Sequence, residues 1–520
     1  MRVRFALFGL LAMVLVACGV GAEEATPEWT RAPTLRERSS GAGVAAPEEE
    51  TPTITPTPTP LMPTVTPLPT FALTLLPTAT PFPTPTLLPT PSPIPTAVPT
   101  ATPLLFTSPQ EIRGQTPSKT PVAVEAQPTG TPPDLAALPG NAWNMELVGH
   151  VLLEPPGWYG GLALKDHCAY VGAYAPAAVT LVDVSDPARP TTMGTLPLEP
   201  GSRPVEVRTI PDLNLLVVAD LGHNRLLTFD ITDCAQPSLQ GTISLPGAPH
   251  EFYLWRDGER VLAYAATFDD APPALVVVDL SDPAAPTEVG RWSAAQEGLT
   301  GRLHSLSVSE DGSRAYLALW DGGFVVLEVD LPRLEVVRDG AGQVDPADVP
   351  NVHSAVPLEA NRYILLAVEI YDCPFGGLVV TDISQPSHPQ ILGDFLLPEN
   401  RCEGVPAGAI FSVHNPLVVQ DLVFASWYAA GVQVIDFSDP RSPERVGQFV
   451  PEGTGAAPRG MLGAYPVQTF SYPILRNGLF YVVDSQTGLY VLRYTGPRAE
   501  EIAYISRAEG NVTVTDEAAQ

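Results

Sequence analysis

Lysine is nearly missing from this chain. Lys119 and Lys165 are the only two in 520 residues, and the 28 basic residues are otherwise arginine. Against them stand 57 Asp plus Glu, for a formal net charge of -29. Such a balance repels phosphate backbones and anionic lipid surfaces, which argues against nucleic acid as a partner. Charged residues of both signs make up only 16%, while hydrophobic residues reach 45%, enough for one large core. Beyond the N-terminus no apolar run approaches the roughly 20 residues that a membrane-spanning helix needs. Familiar catalytic signatures are absent too. His250-Glu251 has no second histidine at the HExxH spacing, and no G-x-S-x-G elbow, P-loop or placed dinucleotide fingerprint occurs.

What the chain has in excess is proline, 60 residues, 27 of them within the first 141. Residues 18–141 read as a disordered linker, with Thr51 to Pro103 almost all Thr, Pro and small or aliphatic side chains, as in "TPTITPTPTP". Proline removes backbone donors and fixes φ, so helix and central strand are disfavoured and polyproline II is expected. At about 3.1 Å per residue when extended, this stalk reaches on the order of 100–300 Å. Its dense threonine offers O-glycosylation sites.

Ahead of the stalk, residues 1–17 have the form of an export signal. Arg2 and Arg4 supply a positive start, and Phe5 to Val16 a short apolar stretch. The segment ends in Leu15-Val16-Ala17-Cys18, which resembles the lipobox of bacterial lipoproteins. That resemblance implies cleavage before Cys18, lipid attachment to its sulfur, and a location on the extracellular face of the cell envelope.

The folded part is organised by a repeat. "LVDVSDPARP", "VVDLSDPAAP", "VTDISQPSHP" and "VIDFSDPRSP" are copies of one apolar run that stops on an acid and a Pro-x-x-Pro or related turn. The acids are Asp183, Asp230, Asp279, Asp382 and Asp436, spaced by 47, 49, 103 and 54 residues. A degenerate copy with Glu328 at the acid position splits the long gap into 49 and 54, and "GLYVLRY" with Arg493 lies 57 beyond Asp436. Each unit holds an apolar strand, a tight turn such as Asp257-Gly258, two further strands, the acid-proline turn, and a short fourth strand carrying Gly194, Gly241, Gly290, Gly393 or Gly447. Four strands in about 50 residues, seven times over, predict an all-β, seven-bladed propeller over 142–496. The seventh unit lacks a fourth strand, and Met145 to His150 matches the missing piece. The N-terminal strand is therefore expected to close the ring and remove its edge. Residues 497–520 read as a flexible acidic tail. An Asp-x-Ser-Asp turn also invites a calcium reading, but the spacing lacks the graded ligands and terminal Glu of an EF-hand.

These residues resemble the LVIVD-repeat proteins, bacterial and archaeal surface propellers. "VHNPLVVQDLVFASWYAAGVQVIDFSDPRSPERVGQF" and "SQTGLYVLR" are close to that family's pattern, and the resemblance covers roughly 143–495. It implies a seven-bladed propeller at the cell surface, without implying an activity. The fourth and seventh units depart from the turn motif.

Aligned by their first strands, four consecutive units place His250, His304, His353 and His414 in one register. The other units carry Gly160, Val205 and Ser471 near it. In a propeller the first strand is innermost, so the four imidazoles are expected to gather at one mouth of the central channel. Glu206 and Glu251 stand beside that register. A His-rich site of this kind suits zinc, copper or iron. In architecture and His clustering it is loosely similar to the selenium-binding protein and methanethiol oxidase family, none of whose motifs is matched. The competing reading has the imidazoles bonded to loop carbonyls, ordering the rim. With Cys18 assigned to lipid, Cys373–Cys402 and Cys168–Cys234 are expected disulfides of an exported protein, thiolate ligation being the alternative for the first pair.

The sequence thus points to a monomeric surface module that binds a small ligand or a protein through the His-lined mouth and its long loops. A metal-dependent oxidoreductase or hydrolase and a passive surface-layer or adhesion component are the other readings. Replacing the lipid acceptor gives the first check. The Cys18→Ser variant should lose lipid labelling and leave the membrane fraction, whereas labelling that persists would refute the assignment of that cysteine.

Overall fold

A third strand that is apolar at every position needs cover on both faces, and stacked blades provide it. In the computed structural model, Ala178–Asp183 and Ala274–Asp279 are buried along almost their whole length. The structure describes residues 139–512, apart from 156, 259, 269–273, 338–342, 346, 359–361, 403 and 454–464. The expected signal segment, Cys18 and the stalk up to residue 138 lie outside the described residues.

Among the described residues the strands form seven antiparallel sheets. Blade one is Trp158–Lys165, Cys168–Ala175, Ala178–Asp183 and Thr191–Pro197, from the inside outward. Blades two to six repeat that order, their innermost strands being Pro204–Ile210, Pro249–Asp257, Ser305–Val308, Val352–Leu358 and Pro416–Val419. Blade seven takes Ile474–Arg476, Leu479–Asp484 and Gly488–Tyr494 from the C-terminal part and Met145–Val151 from the N-terminal part. The ring closes as expected. Ala142–Trp143 then adds a short outer strand to blade six, so the incoming chain is tied to two neighbouring blades. The major apolar clusters lie between adjacent blades: one joins seven to one, the next one to two, and so on around to six and seven.

The recurring turn has a double function. The acid that ends the third strand accepts from the backbone N–H two residues on, at 2.8 Å in Asp183 and Asp436. The second aspartate does the same, as in Asp186 and Asp439, at 3.1 and 3.0 Å. Two consecutive Asx turns therefore engage the carboxylates locally. The turn then docks on the outer strand of the preceding blade, where the repeated glycine sits at a β-bulge. A Cβ on Gly241 would lie 2.2 Å from Pro283 O, and one on Gly149 2.1 Å from Pro187 O. At these two positions the next blade's backbone occupies the side-chain space, so only glycine fits.

Residues 497–512 correct the expectation of a flexible tail. They form a helical turn, Ala499–Ile502, and a strand, Arg507–Glu509, which pairs with the innermost strand of blade seven. The chain then crosses to blade three, where Leu254 N–H donates to Asn511 O at 2.9 Å and Val512 bridges Leu254. This segment also partners buried polar groups. Arg507 pairs with Glu509 at 2.5 Å and donates to Thr209, and Asn511 Nδ2 lies 3.3 Å from Glu251 Oε2. Both cysteine pairs are joined as disulfides with Cα–Cα separations of 5.9 Å, which sets aside thiolate ligation by Cys373 and Cys402.

The docking role of the repeated glycine is testable. Gly241→Ala should cost about 1–3 kcal/mol through forced backbone displacement. Gly393→Ala, whose Cβ would meet nothing nearer than 4.0 Å, should stay within about 0.5 kcal/mol. Urea denaturation compares the two, and equal costs would remove the docking explanation.

Candidate functional site

Bulges at the start of the innermost strands position the site. His250 and His353 are skipped in the ladders that pair Pro249 with Thr267 and Val352 with Val368, so each is the extra residue of a bulge. A bulge re-aims a side chain out of the alternating pattern. His304 and His414 reach the same register just ahead of their strands, their N–H groups donating to Ala318 O and Ser426 O at 2.9 Å. The four imidazoles meet in an arc, with ring centroids 4.3 Å apart for His250–His304, 4.1 Å for His304–His353 and 3.8 Å for His353–His414. In this register Val205 occupies the bulge of blade two. Blade seven presents Phe470 to the pocket, one residue before the expected Ser471, whose hydroxyl is bonded to Val483.

The imidazoles lie below the mouth, with exposures from 0% at His353 to 9% at His414. Above and around them stands a wall of aromatic rings: Trp158, Tyr174, Phe268, Trp320, Tyr371, Tyr428 and Phe470, with Arg302 at its edge. Trp320 stacks on His304 at 4.8 Å, Trp158 stacks on Tyr174 at 4.0 Å, and Arg302 lies 4.7 Å over the Phe268 ring. The funnel holds about 450 Å³ of empty space including its open mouth, of which about 30 Å³ admits whole water molecules. That is room for about two waters or one ion.

Sequence reasoning missed these aromatics. Their signal is nonetheless present: an aromatic follows the second strand at a nearly fixed offset, as Phe268, Trp320, Tyr371 and Tyr428. It also missed Glu369, which directly follows the second strand of blade five, Tyr363–Val368. Glu369 is fully buried and accepts a short hydrogen bond from the Tyr428 hydroxyl. Of the two expected carboxylates, Glu251 joins the cluster, its Oε1 3.8 Å from His353 Nε2. Glu206 does not. It pairs instead with the buried Arg208 at 2.7 Å, because a guanidinium taken out of water needs an adjacent anion.

Below, the channel is shut. Glu251 accepts from the Tyr472 hydroxyl at 3.1 Å, Arg208 lies 5.1 Å over the Tyr472 ring, and the Arg507–Val512 segment runs across. The pocket is therefore entered from one face.

Burial sets the charge state. It holds His250 at about 4, with Arg302 adding to the effect, and His414 at about 3. His304 and His353 lie well below the usual imidazole range through burial and neighbouring imidazoles. Burial raises Glu369 to about 8, and raises Glu251 to about 8 with Glu206 contributing. The result is a set of neutral rings beside carboxyl groups that resist ionisation.

A family model for the LVIVD repeat matches residues 160–196, 263–293 and 374–396. The chain carries LVIVD repeats. The matched segments fall on blade one and on the later strands of blades three and five, where the apolar third strand and its turn recur. Among solved structures the chain is similar to the β-propeller domain of Cps50 (Swd1) from Myceliophteria thermophila. Identity is 13%, the match covers 67% of this chain and 99% of that one, and the TM-score is 0.42. Curated proteins give no match. The LVIVD-repeat blades thus supply the scaffold, and the histidines and aromatics stand outside the repeat's own turn motif.

Tyr428 satisfies the one carboxyl that the repeat pattern does not explain. Tyr428→Phe removes one of the two tyrosine hydroxyls, Tyr428 and Tyr371, that bond Glu369 and should cost about 1–3 kcal/mol. Thermal unfolding of the variant checks this, and an unchanged midpoint would show that Glu369 is satisfied in another way.

Proposed function

We propose that this protein is an exported, lipid-anchored binding module that takes a small ligand at the blind funnel of its LVIVD-repeat propeller. The observation that carries the reading is convergence. Imidazoles from blades three, four and six and rings from six blades line one concave space, beneath which the Arg507–Val512 segment crosses from blade seven to blade three. Apolar walls with a few convergent polar groups are the usual composition of ligand sites. The walls favour a flat apolar or aromatic body, and the base favours a group that donates electron pairs or accepts hydrogen bonds. Arg302 at the edge adds a preference for an anionic substituent. The lipobox-like Ala17-Cys18, the Pro/Thr-rich stalk and the two disulfides support a position outside the cytoplasm.

Trp158 and Trp320 in the wall supply the measurement. The full mature chain should show saturable quenching of tryptophan fluorescence by at least one of benzoate, phenol, indole and imidazole. Trp320→Ala should weaken that binding about 10-fold, the loss of one stacked aromatic contact of roughly 1.4 kcal/mol. Quenching by none of the four, or affinity unaffected by the substitution, would overturn the funnel as the binding site.

A further inference from the structure

The base of the funnel holds more than a ring-stacking surface requires. His353 is 0% exposed, and neither of its ring nitrogens has a hydrogen-bond partner. His304 Nδ1, His414 Nδ1 and Glu369 Oε2 are likewise buried without one. Buried polar atoms are nearly always bonded, so this concentration in one place requires a cause. Rim histidines that merely order loops would spend their nitrogens on carbonyls, and those of His353 do not.

The separations supply the cause. His353 Nε2 lies 3.8 Å from Glu251 Oε1 and 3.8 Å from Glu369 Oε2, and His414 Nε2 lies 3.7 Å from Glu369 Oε1. These gaps are too long for hydrogen bonds. They approach the edge of about 3.4 Å between two ligands on a tetrahedral ion with bonds of roughly 2.1 Å. Donor atoms of His353, Glu369 and His414 all lie within 4.8 Å of one another, as do those of Glu251, His304 and His353, so the two triads share His353. Among the described residues the ion-pair partners of Glu369 are those two imidazoles.

We propose that this cluster binds one divalent transition-metal ion through His353, His414 and Glu369, with His304 and Glu251 flanking His353 on its other side. Mixed imidazole and carboxylate donors suit zinc, copper or iron(II) rather than calcium, which prefers an all-oxygen set. Glu369 and His414 both border the funnel, so a coordination position faces the incoming ligand. The ion deepens the binding reading and rests on the same funnel: it would accept an electron pair from the ligand's polar group, while the aromatic wall holds the body.

The test uses the full mature chain made without a polyhistidine tag. It is loaded in turn with Zn²⁺, Cu²⁺ and Fe²⁺, desalted and assayed for metal, and Co²⁺ is added separately to follow its visible ligand-field bands. One equivalent of at least one of the three ions should be retained, and cobalt bands should appear. His353→Ala and Glu369→Gln should each lower affinity at least about 10-fold, the lower end of losses seen even for groups that only support ligands. His150→Ala should change nothing, since that ring is bonded to Thr487 O and stacked on Tyr490 away from the cluster. Circular dichroism confirms the fold of each variant, and Glu369→Gln decides the matter if His353→Ala does not fold. Failure to retain any of the three ions, or retention unaffected by both substitutions, overturns the metal centre. Metal retention without quenching by the organic probes sinks the ligand reading alone, and probe binding without metal sinks the metal centre alone.

Discussion

Ring closure is the constraint on which everything else depends. Met145–Val151 pairs along Gly488–Tyr494, and without that pairing blade seven would present an open edge and the cluster between blades seven and one would lose the cover of Val148 and Val151. Because the apolar clusters lie between blades rather than within them, no blade is stable by itself, as in other repeat architectures. Closure also sets the radius of the channel, and the radius decides whether residues from four blades can touch. With the circle shut, His250, His304, His353 and His414 have no room to remain apart.

The same geometry accounts for the burial of polar groups at the axis. Seven innermost strands converge there, and the narrow channel excludes bulk water from the bulged residues. Desolvation then holds the imidazoles neutral and the carboxyls of Glu251 and Glu369 protonated over much of the range in which they would otherwise ionise. Lower in the channel the conflict is resolved within the chain, since Arg208 and Arg507 each have a carboxylate partner. At the histidine level Arg302 stands only at the edge of the funnel. This contrast between a compensated floor and an uncompensated upper cluster gives the site its chemical character.

The C-terminal segment sharpens that contrast. By pairing with blade seven and reaching blade three, Arg507–Val512 turns a tube into a cup. A cup with one entrance can hold an ion and a ligand in a fixed order, the polar base first and the aromatic wall behind it.

Much of this is legible in the order of residues alone. The blade count, the closing strand, the disulfide partners and the shared histidine register all follow from spacing, because each blade repeats a strand order and repeated order shows in one dimension. The aromatic wall is legible in principle, through Phe268, Trp320, Tyr371 and Tyr428 at one offset, yet an aromatic after a strand is equally a core residue until its direction is known. Glu369 carries no signal, since a single glutamate at a strand end is ordinary. Nor does the acidic tail announce itself as a floor, because its partners, Glu251 and Thr209, lie more than 250 residues away in the chain. Local pattern determines which strands form and how many blades they make. Only the closed ring decides which side chains lose water together, because desolvation and charge pairing depend on distances that no linear spacing contains.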